Sequence, residues 1–219
     1  MTISILTNVP SLMAQQNLQR TNEAVNSAIT RLSSGRRIVS SMDDPAGIAI
    51  TEKLTAQING VEQNKRNAED GTSLLQVAEG GMMEVGNILI RMKELALQAA
   101  NDTLSSNDRA FLNTELSQLK AEIDRIATAT KFNGLALLSG AYSINGLTLQ
   151  VGLTESSTDL MTIRIGNIGS NSLGSNITIS QVSISQSAGR ARDMLKYIEK
   201  SINDISTARS QVGAQLSRL

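Results

Sequence analysis

Cysteine, histidine and tryptophan are all absent from the 219 residues. Without a thiol or an imidazole there can be no cysteine nucleophile, no histidine general base, no Cys/His zinc site and no Ser/His/Asp triad. Carboxylates, lysine, tyrosine and hydroxyls remain, yet no acidic loop has calcium-binding spacing and no acidic cluster converges. An enzyme is therefore not expected, and no cofactor or metal is implied. Net charge is lacking too, since 20 basic residues balance 20 acidic ones. Their interleaving along predicted helices excludes the basic stripe of a nucleic-acid binder. No apolar run is long enough to span a bilayer, so membrane insertion is not expected. Residues 1–13 hold neither a basic residue nor an apolar run of signal-peptide length, which means that export would need another route. The missing cysteine is neutral about compartment and merely permits life outside the cell.

What is present is a helical apolar pattern, in places with the alternating three-and-four spacing of a coiled-coil seam. Between 105 and 130 the seam is Leu112, Leu116, Leu119, Ile123 and Ile126, with Glu115, Lys120, Glu122, Asp124 and Arg125 off the stripe. A second seam comprises Ala191, Leu195, Ile198, Ile202, Ile205, Val212, Leu216 and Leu219, interrupted at Arg209. Asp44-Pro45 suits an N-cap followed by a first helical turn and opens a segment that runs to about 100. Along it, Leu54, Ile58, Val61, Ala68 and Leu75 form one seam, and Met82, Val85, Leu89, Met92 and Ala96 another after a change of phase. At about 1.5 Å per residue this helix would be roughly 80 Å long, which implies a rod. Gly60, Gly71, Gly80, Gly81 and Gly86 oppose it, each costing about 1 kcal/mol relative to alanine. Any break is expected at Gly80-Gly81, and continuity requires packing that outweighs the cost.

The stretch 10–34 reads as a weakly apolar helix with Leu18, Val25, Ile29 and Leu32 on one face. Such a helix is marginal until that face meets a partner. Between 132 and 185 the period changes. Residues 142–153 and 160–168 alternate as strands do, Asn145-Gly146 offers a tight turn, 156–158 a loop, and 169–175 a flexible Gly/Ser/Asn-rich connection,. The expected fold is mainly α, an elongated bundle of long coiled-coil-like helices at 45–100, 106–129 and 187–219, with a small β-hairpin region at about 140–180.

Several ordered motifs resemble those of bacterial flagellins. They are Arg31-Leu32-Ser33-Ser34-Gly35 with Arg37-Ile38, then Asp43-Asp44-Pro45-Ala46-Gly47, Arg66-Asn67-Ala68-Glu69-Asp70-Gly71, Met92-Lys93-Glu94-Leu95-Ala96 and Phe132-Asn133-Gly134. The resemblance implies an inner filament-core domain, of which 1–43 would be the N-terminal part, and an outer rod domain over 44–219. It also implies that almost no variable domain follows the hairpins. The run 208–219 is similar to the middle of the family's last region, where the family continues for some tens of residues, so the resemblance implies C-terminal truncation. A missing helix would pair with the face of Leu18 to Leu32.

By resemblance the chain is a secreted structural subunit that polymerises into a helical filament for motility once such a helix is present. Leu18, Val25, Ile29 and Leu32 are then the assembly residues, the competing reading being that they complete an intramolecular bundle. The resemblance further implies recognition by the Toll-like receptor that senses flagellin. Arg91, Leu95 and Glu115 occupy the matching positions, with Gln98 and Ala99 nearby. Arg91 and Leu95, four apart, are expected to share an exposed or half-exposed stripe, whose plainer use is contact with the next subunit. Asn101-Asp102-Thr103 and Asn176-Ile177-Thr178 match the N-glycosylation pattern, one common by chance. A hook-filament junction protein is the nearest alternative, and a helical-bundle enzyme or cofactor carrier the alternative from another class.

Overall fold

The computed structural model describes residues 8–174 and 178–219. They fall into two compact units, Met1–Gly60 and Val61–Leu219.

In the first unit, helix α1 spans Val9–Ser34. Asn8 caps it by accepting from the N–H of Ser11 at 3.4 Å, Pro10 occupies the first turn, and left-handed Gly35 ends it. No residue of α1 is buried. Helix α2, Pro45–Ala99, begins in this unit and continues into the second. Its start follows the expected Asp-Pro chemistry, because Asp44 Oδ1 accepts from the N–H of Gly47 at 2.8 Å,.

The second unit adds α3 (Ser106–Ala129), β1 (Lys131–Phe132), β2 (Leu135–Ala136), β3 (Leu147–Gln150), β4 (Leu160–Ile163) and α4 (Ala188–Leu216). Ser105 and Asp108 form a capping box at α3, each side chain accepting from the other's N–H, and Ser187 caps α4,. Ion pairs Glu79–Arg209, Lys93–Glu199 and Asp102–Arg192 run α4 antiparallel to α2. The core is the seam of Met82, Val85, Leu89, Met92 and Ala96, all fully buried, closed by Leu116 and Ile123 of α3 and Ile198, Ile205 and Val212 of α4.

The other expected seam of α2 is not covered in the same way. Leu54, Ile58 and Val61 are exposed, Ala68 is half-buried, and full burial begins only near Leu74 and Leu75. Leu219 and Leu149 pack where a side chain on Gly71 would stand, so the covering layer of the second unit is already in place at that turn.

Helix α2 passes through Gly80-Gly81 without a break. A Cβ on Gly81 would lie 2.7 Å from Leu138 Cδ1 and 2.8 Å from Thr130 Oγ1. Glycine there admits the hairpin against the helix, and the packing gained offsets its poor helix propensity.

The β region differs from its expected layout. β1 and β2 form a hairpin whose two-residue turn is Asn133-Gly134, with φ of 47° and 81°, as the mirror-image turns of tight hairpins require,. Asn145-Gly146 joins no two strands. It precedes β3, which pairs antiparallel with β4 from Leu147↔Ile163 to Gln150↔Leu160, and the connecting loop is 151–159. Among the described residues no strand follows Ile163. The apolar residues beyond it, including Ile165, Ile168, Leu173, Ile179, Val182 and Ile184, are buried in a strap that side chains hold in place. Asp124 accepts from Ser170 N–H and Oγ–H, both at 2.8 Å, Asn113 accepts from Ile184 N–H at 3.0 Å, and Asp204 accepts from Gly174 N–H at 3.2 Å. Lys120 donates to the carbonyls of Ser180 and Val182, and burial lowers its ammonium pKa. The alternation of Met161, Ile163 and Ile165 continues past the ladder, which ends at Ile163, so it reports one buried face and not a ladder,. The described part of the connection at 169–175 is likewise anchored, with Ser170 buried.

Candidate interaction surface

The residues expected to drive assembly lie open in the first unit. Leu18, Val25 and Ile29 are about half exposed or more, and Leu32 is 86% exposed. On α2 of the same unit Ile50, Leu54 and Ile58 are also exposed. Isolated exposed apolar residues are ordinary, but a helix with none of its stripe covered lacks the main source of helical stability.

The first two motifs of the sequence meet in the turn between α1 and α2. Arg31 Nη2 donates to Asp43 Oδ1 at 2.7 Å, while Asp43 Oδ2 accepts from the N–H groups of Val39 and Ser40, both at 3.2 Å. The bond from Arg31 and then those two N–H groups hold the Asp43 carboxyl below its usual pKa,.

On the second unit, Arg91 and Glu115 come together. Arg91 Nη2 and Nε donate to Glu115 Oε1 at 2.8 and 3.1 Å, and Nη1 donates to Glu94 Oε2 at 3.0 Å. Glu115, followed by Glu94, raises the Arg91 pKa further. One guanidinium is thus shared between two carboxylates, leaving a cluster of net charge −1 (one cation, two anions). Gln98 is exposed beside it.

Leu95 does not share that stripe, contrary to expectation. It is only 1% exposed, and Ala99 is fully buried. At about 100° per residue, Leu95 sits roughly 40° from Arg91 but also roughly 40° from Ala99, so it falls on the core's flank. Leu95 belongs to the buried core, whereas Arg91 reaches Glu115 of α3 at the surface. Sequence reasoning missed a different row on α2, in which Met83, Ile90 and Leu97 are each about half exposed. The signal was available as a second interval of seven along α2, parallel to the buried seam.

Of the two glycosylation triplets, Asn101 uses its Oδ1 to accept from Thr103 N–H at 3.3 Å. Asn176 and Ile177 of the other lie outside the described residues. No helix among the described residues is long and apolar enough to cross a membrane, and no three acidic side chains there gather as a metal site.

Comparison with known proteins is consistent along the chain. Residues 5–143 match the family model of the bacterial flagellin N-terminal helical region. A flagellin of Halalkalibacterium halodurans is 37% identical over 212 residues, 97% of this chain and 75% of the relative. The phase 2 flagellin of Salmonella typhimurium is 44% identical over 172 residues, 77% of this chain. The chain spans only about a third of the length of the Salmonella relatives it matches. Among solved structures, Bacillus cereus flagellin aligns with a TM-score of 0.56 at 33% identity, covering 70% of this chain and 84% of that one. A putative flagellar hook-associated protein from Vibrio parahaemolyticus aligns at 0.64 over 82% of this chain and 90% of that one, but at 18% identity, which speaks for the fold alone. With residues 5–143 matching the N-terminal helical region and a flagellin 37% identical over 97% of the chain, the chain belongs to the bacterial flagellin family.

Proposed function

We propose that this chain is a structural subunit of the bacterial flagellar filament, exported from the cell and polymerising with copies of itself for motility. The observation that carries this reading is that α1 buries no residue while Leu18, Val25, Ile29 and Leu32 stand exposed along it. A face of that kind is stabilised by association, so burial of the α1 stripe and polymerisation are coupled. Sequence kinship favours flagellin over a hook-filament junction protein, since the hook-associated neighbour shares only the fold. The test is sedimentation and electron microscopy of the purified chain, alone and mixed with the flagellin of Halalkalibacterium halodurans. Incorporation into filaments with new hydrogen-exchange protection in α1 is expected. A chain that stays monomeric in both settings, with α1 already fully protected, overturns the reading.

A second reading concerns the cluster on the second unit. Its solvent-facing, doubly braced Arg91 favours recognition by the Toll-like receptor that senses flagellin, through Arg91, Gln98 and Glu115, with Leu95 acting from beneath as packing. A guanidinium held in place by two carboxylates is pre-organised for a hot spot. Receptor signalling unaltered by Arg91→Ala and Glu115→Ala would remove this reading.

A further inference from the structure

Two adjacent carboxylates at the α1–α2 junction face opposite ways. Asp44 reaches forward to cap α2 at Gly47. Asp43 reaches back: one oxygen takes the guanidinium of Arg31, in the last turn of α1, and the other takes the N–H groups of Val39 and Ser40. Its own N–H donates to Ser40 O at 3.0 Å, closing the turn between them. A single side chain thus gathers the end of one helix, the loop, and the residue next to the following helix's cap.

We propose that Arg31 and Asp43 form a clasp that biases the direction in which α1 leaves the start of α2, and so aims the apolar stripe of α1. Two observations carry this. No residue of α1 is buried, so packing along its length does not hold the helix and its aim is set at its end. The loop and the start of α2 supply only modest packing of their own, through half-buried Ile38, Gly47 and Ile48. Of the donors that Asp43 receives, only Arg31 comes from α1; the other two fix the loop. The link to α1 is therefore a single solvated ion pair, weak by itself. It orients the helix without locking it, as a segment that must later be captured by a partner requires. The clasp stands apart from the assembly reading, because it is tested on the unassembled chain.

The absence of cysteine makes the test clean. Spin labels at Gln19→Cys and Gln57→Cys, both exposed positions, report the distance between α1 and the start of α2 in the full chain by pulsed electron resonance. The double-labelled parent is expected to give one narrow distribution. Arg31→Gln, which leaves the loop's own bonds to Asp43 in place, is expected to broaden it at least twofold with helicity unchanged by circular dichroism. Asp43→Asn is expected to broaden it at least as much. A parent that is already broad, or an Arg31→Gln variant as narrow as the parent, overturns the clasp. Broadening by Asp43→Asn alone overturns it too, since the loop and not the ion pair would then set the direction.

Discussion

Arg91 of α2 and Leu95, one turn further on, are separated by the edge of the core: the first is braced in solvent by Glu115 and Glu94, the second is buried in the core. The pair therefore lets the proposed recognition be tested apart from packing. Arg91→Ala is expected to leave the melting temperature nearly unchanged, because solvated ion pairs contribute little, and to weaken receptor signalling at least tenfold. Leu95→Ala is expected to cost about 2–5 kcal/mol of stability through the cavity it leaves. Thermal unfolding of the two variants beside a signalling assay checks both. A stable Leu95→Ala variant would mean that its side chain is not enclosed.

Gly80 and Gly81 are neighbours with opposite surroundings. Nothing approaches within 4 Å of a Cβ on Gly80, whereas one on Gly81 meets Leu138 and Thr130 below 3 Å. Gly80→Ala is expected to stabilise by about 0.5–1 kcal/mol, the ordinary gain of alanine in a helix interior. Gly81→Ala is expected to destabilise by about 1–3 kcal/mol, since overpacking outweighs that gain. Denaturant midpoints give the two signs, and equal effects would contradict the close approach of the hairpin.

Much of this fold is legible in the sequence because its determinants are local or periodic. The seam from Met82 to Ala96, the capping of α2 by Asp44 and the limits of α3 all follow from spacing and end chemistry. What spacing could not give is depth. Leu54 and Leu89 have equal standing as seam positions, yet only the second has partner helices over it. Nor could alternation distinguish a strand from the strap beyond Ile163, whose polar backbone is satisfied by Asn113, Lys120 and Asp124, side chains that a helical reading places simply off the seam. The Asn133-Gly134 hairpin was open to turn chemistry alone. For the site, neither the pairing of Arg91 with Glu115 nor the burial of Leu95 could be read from spacing, because both depend on how the helices pack.

The loop joining β3 and β4 carries an acid-sensitive bond. Asp159 Oδ2 accepts from both the N–H, at 2.8 Å, and the hydroxyl of Thr154, and these bonds lower its pKa from the usual 3.8. A depressed folded-state value means that the carboxylate's contribution is complete above about pH 4, the unfolded value, and disappears as pH falls through the folded one. Titration followed by the Thr154 amide resonance is expected to show a midpoint below 3.8. Asp159→Asn is expected to abolish that titration. A midpoint at or above the usual value would place Asp159 away from Thr154.

The stripe on α1 predicts a separation between folding and assembly. Val25 and Ile29 are exposed and one turn apart, so replacing both with aspartate removes no buried contact and leaves no cavity. The melting transition of the second unit, whose core lies wholly within Val61–Leu219, is expected to be unchanged. Two charges on a face that must be desolvated against a partner are another matter, since burying an unpaired carboxylate is far more costly than burying the valine and isoleucine is favourable. Co-assembly with a flagellin able to form filaments is therefore expected to be lost, as read by pelleting and electron microscopy. If Val25→Asp with Ile29→Asp still enters filaments at the parent's level, α1 is not buried on assembly. If it fails to assemble because the second unit unfolds, those side chains belong to an intramolecular core instead.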